Sequence, residues 1–220
     1  MTAIVGIYSK RETNILQYLI RMIQETLHRG SNFLGIDLNH NVCRMQRIEE
    51  LFDCSLEGSC GVCVSSRDNG QPFQHQELDL SLVCDGEIYN WNRVEELTNK
   101  QFTVDKESIL YLFEKFLLEK GDISFAMEET LKSLDGVYCF TLFYKDLFLI
   151  ARDPIGIKPL YISEKNGKIA FASERKALWS IGMFDSYPLP PSCWATIGET
   201  GIKINHVKSF NEEYDKKLDL

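Results

Sequence analysis

The sequence predicts a single α+β domain whose strands pair mainly in antiparallel fashion. Short apolar runs dominate the chain, and two longer segments carry apolar residues at the three- and four-residue spacing of amphipathic helices. Lys145 and Asp146 stand between two apolar runs, a position typical of a hairpin turn, which favours antiparallel pairing over βαβ crossovers. The 220 residues, 44% of them hydrophobic, suffice for one buried core.

The predicted elements follow one another along the chain without repeats or low-complexity segments. Residues 1–205 are expected to form the domain and residues 206–220 a charged C-terminal tail. Helices are predicted over 15–27 and 107–118. Strands are predicted over 4–8, 61–65, 80–84, 136–144, 148–151, 169–173 and 194–197.

The charge and hydropathy patterns exclude two classes of partner. The 24 basic residues are dispersed among 32 acidic ones and the formal net charge is −8, so the electrostatic footprint of nucleic-acid binding is missing. No stretch approaches the ~20 apolar residues that span a bilayer, and no secretion signal opens the chain. We expect a cytoplasmic protein that binds neither nucleic acid nor membrane; the sequence carries no signal for an oligomeric state.

The seven cysteines are an odd number without a secretion signal, which predicts reduced thiols and small core residues. Cys60 and Cys63 form a C-x-x-C pair, a spacing also found in zinc and redox sites. The residues around Cys63 have the pattern of a strand, which favours the core interpretation. Metal or redox chemistry at this pair is the alternative, and no other metal site is predicted.

Seven short motifs occur in a characteristic order. They are IVGIY at 4–8, HRG at 28–30, QP at 71–72, DGEIYN at 85–90, LDG at 134–136, ARDPIGIKPLY at 151–161 and FASERKAL at 171–178. This set resembles the N-terminal class II glutamine amidotransferase domain of asparagine synthetases, a member of the N-terminal-nucleophile (Ntn) hydrolases. The resemblance covers residues 1 to about 205. It implies a four-layer αββα sandwich of two mainly antiparallel sheets.

The resemblance places the nucleophile directly after the initiator methionine, where the family has cysteine and this chain has Thr2. In such enzymes the side chain attacks the amide carbonyl while the free α-amine acts as general base. Methionine is normally removed before so small a residue, and N-terminal threonine is a known nucleophile. A hydroxyl is, however, far less ionised than a thiol at neutral pH, so it depends more on its base.

The implied oxyanion hole also departs from the family pattern. The family uses a backbone N–H and the side-chain amide of an asparagine, and this chain has Asp85 at that position, followed by Gly86. Losing one such donor costs about 3–4 kcal/mol of transition-state stabilisation. A carboxylate about 3 Å from the oxyanion adds roughly 5 kcal/mol of repulsion at an effective dielectric of 20. Alternatively, burial keeps Asp85 protonated, so that it donates a hydrogen bond.

The implied substrate-binding residues are preserved in part. Val64 falls where the family has an arginine that binds the glutamine carboxylate, and Arg67 is a substitute only if a bulge or loop turns it round. Glu87 belongs to the same motif as Asp85. Asp105 matches the acidic residue that receives the substrate α-ammonium group; the alternative is an ordinary helix N-cap.

The family continues into a synthetase domain with a Ser-Gly-Gly-x-Asp-Ser pyrophosphate loop, whereas this sequence ends where that domain begins and contains no such loop. No cofactor is implied. We expect a stand-alone domain that does not hydrolyse glutamine and acts as a binding, regulatory or partner subunit. Its expected ligand is glutamine or another small amide or amino acid, and a separate synthetase chain is a hypothetical partner. The alternative is an active Ntn amidohydrolase that uses Thr2 and supplies ammonia to that chain.

Overall fold

A computed structural model describes residues 1–67, 70–75 and 77–207, so most of the expected tail, residues 208–220, lies outside the described residues. The strands are β1 Ala3–Ser9, β2 Phe33–Leu38, β3 Asn41–Met45, β4 Cys60–Ser66, β5 Phe73–His75, β6 Leu80–Ile88, β7 Gly136–Tyr144, β8 Leu147–Arg152, β9 Tyr161–Lys165, β10 Lys168–Ala172, β11 Tyr187–Pro188, β12 Cys193–Gly198 and β13 Gly201–His206. The helices are α1 Leu16–Gln24, α2 Ile48–Phe52, α3 Trp91–Thr98, α4 Glu107–Lys120, α5 Ile123–Ser133 and α6 Arg175–Ser180, with a short 3-10 helix at Leu27–Arg29.

The strands form two antiparallel sheets. The first has the order β11-β9-β10-β1-β4-β2-β3 and the second the order β13-β12-β8-β7-β6-β5. The predicted hairpin is confirmed, because Tyr144 pairs with Leu147 across the turn at Lys145 and Asp146. The predicted antiparallel α+β class is confirmed with it.

Apolar residues fill three layers between the four layers of secondary structure. One core lies between the two sheets and includes Ile4, Val64 and Phe171. A second packs α1, α2 and α6 on the outer face of the first sheet, and a third packs α3, α4 and α5 on the second. The architecture is therefore the expected αββα sandwich.

The helix predicted over 15–27 is shorter than expected. It is α-helical only to Gln24, and the chain then turns through the 3-10 helix that presents His28 and Arg29. Helices α2, α3, α5 and α6 were not predicted from the sequence, and three of them, α2, α3 and α6, have only five to eight residues. No helix in the described ranges is both long and apolar enough to cross a membrane.

The C-x-x-C pair consists of two core residues on opposite faces of β4. Cys60 faces the core between the sheets, and Cys63 faces the core beneath α1. Burial raises the pKa of each thiol to about 12. Because strand residues three apart point to opposite faces, the alternative of joint metal or redox chemistry at this pair loses its geometric basis. Among the described residues, no group of three or more His, Cys, Asp or Glu side chains is arranged to hold a metal.

Candidate active site

Thr2 lies at the entrance to β1, beside the end of β4 and the 3-10 helix. It is only 6% exposed, whereas Met1 is 64% exposed. Gly30 packs against this segment so closely that a Cβ atom there would lie 2.8 Å from the Met1 carbonyl oxygen and 2.9 Å from Ser66 Cα. The glycine of the HRG motif therefore lets the N-terminus enter the fold.

Three donors contact the Asp85 carboxyl, and one of them is the Thr2 N–H at the N-terminus. The carboxyl is buried in β6, and the Thr2 N–H donates to Oδ1 over 3.1 Å. Arg29 Nη2 donates to Oδ2 over 2.8 Å, and Lys158 Nζ lies 3.4 Å from Oδ1. A protonated carboxyl needs an acceptor for its hydrogen, and none of these three groups is one. The contacts therefore favour the carboxylate over the protonated form considered above.

The loop between β8 and β9 positions Lys158. Asp153 is fully buried, and its Oδ1 atom accepts N–H groups at residues 155–157 over 2.6–3.1 Å. Its Oδ2 atom accepts the Lys158 N–H over 3.2 Å. Arg152 holds the outside of the loop by donating to the carbonyls of Lys158 and Leu189 over 2.6 and 2.8 Å. The ARDPIGIKPLY motif thus builds a turn that brings a lysine to Asp85.

Arg29 connects Asp85 to a second carboxylate. Its Nε donates to the Thr2 carbonyl over 3.0 Å, and its Nη1 lies 3.5 Å from Glu174. Glu174 also meets His28 Nε2 at 2.8 Å and Lys176 at 3.5 Å. Burial acts to raise the pKa of Glu174, but His28, Lys176 and Arg29 outweigh it and the pKa is lowered.

Gly86 follows Asp85 on β6, and Asp105, in the turn before α4, reaches the end of that strand. A Cβ atom on Gly86 would overlap the Val137 carbonyl and Tyr138 of β7, so glycine is required for this pairing. Asp105 Oδ2 accepts the Ile88 N–H over 2.7 Å, while the start of α4 has no side-chain cap from its N-cap residue. Asp105 is thus fixed to the end of β6 rather than serving as a helix cap. Glu87 is exposed.

The two candidates for carboxylate binding lie apart. Val64 is 1% exposed and belongs to the core between the sheets, with Ile4 as its partner on β1. Arg67 is exposed directly after the end of β4. The structure therefore brings Thr2, Asp85, Gly86 and Asp105 to one region, while Val64 forms part of the apolar core and Arg67 lies at the surface.

The cations that hold Asp85 were not predicted from the sequence. No partner was predicted for Arg29 and no role for Lys158, although an aspartate inside an apolar strand predicts a cationic or donor partner, because an unpaired buried charge is costly. That signal does not identify the partner. Arg29 and Lys158 are 56 and 73 residues from Asp85 in sequence and meet it only through the fold.

A groove of about 800 Å³ opens beside this region. It is lined by Arg93, Leu134, Pro154 and Ile155, among others, but not by Thr2, Asp85 or Asp105. Asn90, also in its wall, donates to the Ser133 carbonyl and accepts the Asp135 N–H. The last residue of the DGEIYN motif therefore ties the end of α5 to β6.

Comparison with known proteins agrees with this architecture. Residues 59–180, more than half of the chain, match the family described as glutamine amidotransferase domain. A Methanocaldococcus jannaschii protein named as a glutamine-hydrolysing asparagine synthetase is 32% identical over 194 residues, covering 82% of this chain and 34% of its own. An Archaeoglobus fulgidus amidophosphoribosyltransferase is 30% identical over 208 residues, covering 83% of this chain and 45% of its own.

The solved structures agree on the fold. The glutamine phosphoribosylpyrophosphate amidotransferase of Bacillus subtilis superposes with a TM-score of 0.80 at 20% identity, covering 95% of this chain and 50% of that one. The chain spans only 23–45% of the first four curated relatives that it matches. On the family match, the fold and the ordered motifs, the chain belongs to the class II glutamine amidotransferases, of the asparagine synthetase type, and has the Ntn-hydrolase fold.

Proposed function

We propose that this domain does not hydrolyse glutamine and acts as a binding, regulatory or partner subunit. The observation that carries the proposal is the ion-paired carboxylate of Asp85 beside Thr2. In the family pattern, this position donates a hydrogen bond to the oxyanion. A carboxylate accepts hydrogen bonds and repels an oxyanion, so it opposes the transition state that the family pattern stabilises.

The rest of the site supports the same conclusion. Thr2 supplies a hydroxyl in place of the family's thiol, and a hydroxyl needs an effective base. Arg29 and Lys158 are cations that could compensate an oxyanion elsewhere, but both contact Asp85. Neither is therefore an unpaired electrostatic stabiliser of developing negative charge.

Ligand binding is the part of the proposal supported by Asp105. Its carboxylate is 23% exposed and is held at the end of β6, where Oδ1 also lies 3.4 Å from Lys106 Nζ, so a ligand ammonium group would share that oxygen with Lys106. We propose glutamine or another small amide or amino acid as the ligand. Val64 offers no hydrogen bond to a ligand carboxylate, so the affinity for glutamine itself is expected to be weak unless Arg67 contributes.

A separate synthetase chain is the proposed partner. The relatives named as asparagine synthetases are longer proteins, of which this chain matches about a quarter to a third. A cytoplasmic location is part of the proposal. The seven free thiols are consistent with a reducing compartment.

A glutaminase assay tests the proposal. The chain is released from an N-terminal fusion by a protease that leaves Thr2 as the first residue, and intact mass verifies the product. We expect ammonia release from glutamine to be indistinguishable between this protein and its Thr2→Ala variant. Release at an ordinary turnover rate that disappears in Thr2→Ala would instead establish the active amidohydrolase.

The binding part of the proposal has its own test. Calorimetric titration of glutamine, asparagine and simple primary amides is compared for the wild type and Asp105→Asn. The matched control is Asp79→Asn, an exposed aspartate beyond the opposite end of β6. We expect affinity to fall about tenfold or more in Asp105→Asn, because a charge-assisted hydrogen bond contributes about 1.5–3 kcal/mol. Equal loss in both variants, or binding in neither wild type nor variants, contradicts an Asp105 ligand site.

A further inference from the structure

We propose that Asp85 binds the free α-ammonium group of Thr2 after removal of Met1 and thereby holds the N-terminal amine in its protonated form. This inference rests on the proposed function and adds a second reason for it. In the Ntn pattern the N-terminal amine is the general base, and an ammonium group has no lone pair with which to accept a proton. Asp85 would then disable the base as well as occupy the position of the oxyanion donor.

The geometry for this ion pair already exists in the chain that carries Met1. The Thr2 nitrogen donates to Asp85 Oδ1 over 3.1 Å, and both residues are buried. Removing the exposed Met1 converts this amide nitrogen into a primary amine on the same buried Thr2 residue. The new group has three hydrogens when protonated, one of which points where the amide N–H points now. A neutral hydrogen bond thus becomes a charge-assisted one.

The backbone of Thr2 is held from the other side as well. Arg29 Nε donates to the Thr2 carbonyl over 3.0 Å while Nη2 of the same guanidinium donates to Asp85. The guanidinium therefore fixes the distance between the Thr2 peptide and the Asp85 carboxylate. Turning the amine away from Asp85 would require rotation about the Thr2 Cα–C bond, which also moves the buried Thr2 side chain.

The charged surroundings determine how the proposal must be tested. Arg29 from the 3-10 helix and Lys158 from the β8–β9 loop both oppose a further cation, while Glu174 offsets Arg29 and is itself shared with His28 and Lys176. Among the residues that the structure describes, Asp85 is the hydrogen-bond acceptor of the Thr2 nitrogen. The proposal is therefore tested by the change in the titration midpoint of the Thr2 α-amine when only the charge on Asp85 is removed.

The experiment follows the protonation of the amine by NMR. The full chain with Thr2 as its first residue is labelled with ¹³C-threonine, and the Thr2 Cα shift is recorded against pH. Its resonance is assigned by its loss in Thr2→Ser. The wild type is compared with Asp85→Asn, which removes one charge at nearly constant volume. The matched control is Glu174→Gln, which removes a charge from the same network without touching the Thr2 nitrogen.

We expect the titration midpoint to fall by about one pH unit or more in Asp85→Asn, a tenfold or larger change in the protonation equilibrium, because a contacting opposite charge favours the charged form. Glu174→Gln is expected to shift it by less than half as much. An unchanged or higher midpoint in Asp85→Asn overturns the proposal.

A measurement on the wild type alone covers the case in which Asp85→Asn fails to fold. The same resonance is titrated in the folded protein and in urea. We expect the midpoint to be higher in the folded protein, and a midpoint equal to or below that of the unfolded chain overturns the proposal. If it is overturned while glutamine remains unhydrolysed, the proposed function stands. If the amine is held and glutamine is nevertheless hydrolysed, the proposed function fails by itself.

Discussion

At the scale of single residues, the N-terminal site depends on what surrounds one carboxyl group. Asp85 and Asp37 both lie in strands at less than 3% exposure, yet their environments differ. Asp85 has two cations and an N–H as partners, whereas Asp37 has a hydrogen bond from Ser81 to Oδ2 and an Oδ1 atom without a partner among the described residues. The first arrangement favours a carboxylate and the second favours the neutral acid.

The pH dependence of stability is expected to report Asp37. Burial raises the pKa of its carboxyl above the ordinary 3.8, and the Ser81 hydrogen bond offsets this only in part. A pKa raised by folding gives stability that is complete below 3.8 and is lost as the pH rises through the folded-state value. Between 3.8 and the folded-state value, the loss is about 1.4 kcal/mol per pH unit, and above the folded-state value the loss is complete.

Asp37→Asn removes this titration. We therefore expect the unfolding free energy of the wild type, relative to Asp37→Asn, to fall in urea melts as the pH rises above 3.8, and to level off once the folded-state carboxyl is ionised. The exposed Asp79→Asn serves as control and should show no such trend. A difference that stays constant or grows with pH would show that Asp37 is ionised in the fold.

At this scale, how much of the site the sequence could predict depends on how far apart the interacting residues lie along the chain. Asp85 and Gly86 could be placed because the DGEIYN motif carries them, and Thr2 because it directly follows the initiator methionine. The partners of Asp85 could not, because Arg29 and Lys158 reach it from two other motifs. Val64 was identified by its register, but its burial between the sheets depends on which face of β4 meets β6 and β7.

At the scale of elements, the alternation of side chains between the two faces of β4 decides whether its two cysteines can act together. Cys60 and Cys63 look like a metal or redox pair in sequence and are separated by the sheet in space. The strand pattern of residues 61–65 was the informative signal. By contrast, the change from α-helix to 3-10 helix after α1 was not foreseen, because the apolar spacing continues to Leu27 while the backbone tightens.

The reactivity of the cysteines should follow this placement. Burial raises the pKa of Cys60 and Cys63 to about 12, so neither is a thiolate near neutral pH, while Cys43 and Cys54 are half-buried. In native protein treated with iodoacetamide at pH 7.5, we expect alkylation of Cys43 or Cys54 well before Cys60 and Cys63, measured by peptide mass spectrometry. Denatured protein is the control, in which all should react. Early native labelling at Cys60 or Cys63 contradicts the placement.

At the scale of the whole molecule, the core between the sheets holds the two halves of the site together. Thr2 directly precedes β1 of one sheet and Asp85 lies in β6 of the other, so the 3.1 Å contact between them depends on how the sheets pack. Phe171 packs between the two sheets and is fully buried. Its ring centre lies 5.3 Å from that of Phe148, and the ring fills the space left by Gly6. The four-layer architecture was predictable only through the resemblance, since the strand and helix patterns alone give α+β.

Removing this ring should therefore destabilise the molecule. Phe171→Ala is expected to lower the unfolding free energy by about 3–5 kcal/mol, because a buried aromatic leaves a cavity. Phe184→Ala is the control, since Phe184 is 68% exposed, and it is expected to change stability by less than about 1 kcal/mol. Urea unfolding measures both; equal effects would mean that the core between the sheets is not packed as described.

The most direct test of the central claim, that the Thr2 site does not hydrolyse glutamine, is the intact mass of the protein before and after exposure to an electrophilic glutamine analogue. The chain begins with Thr2, and Thr2→Ala is the control. We predict no adduct that depends on Thr2, because in the proposed function the Asp85 carboxylate opposes the transition state and binds the amine that would activate the hydroxyl. A single covalent adduct that is lost in Thr2→Ala would contradict the account and establish Thr2 as a working nucleophile.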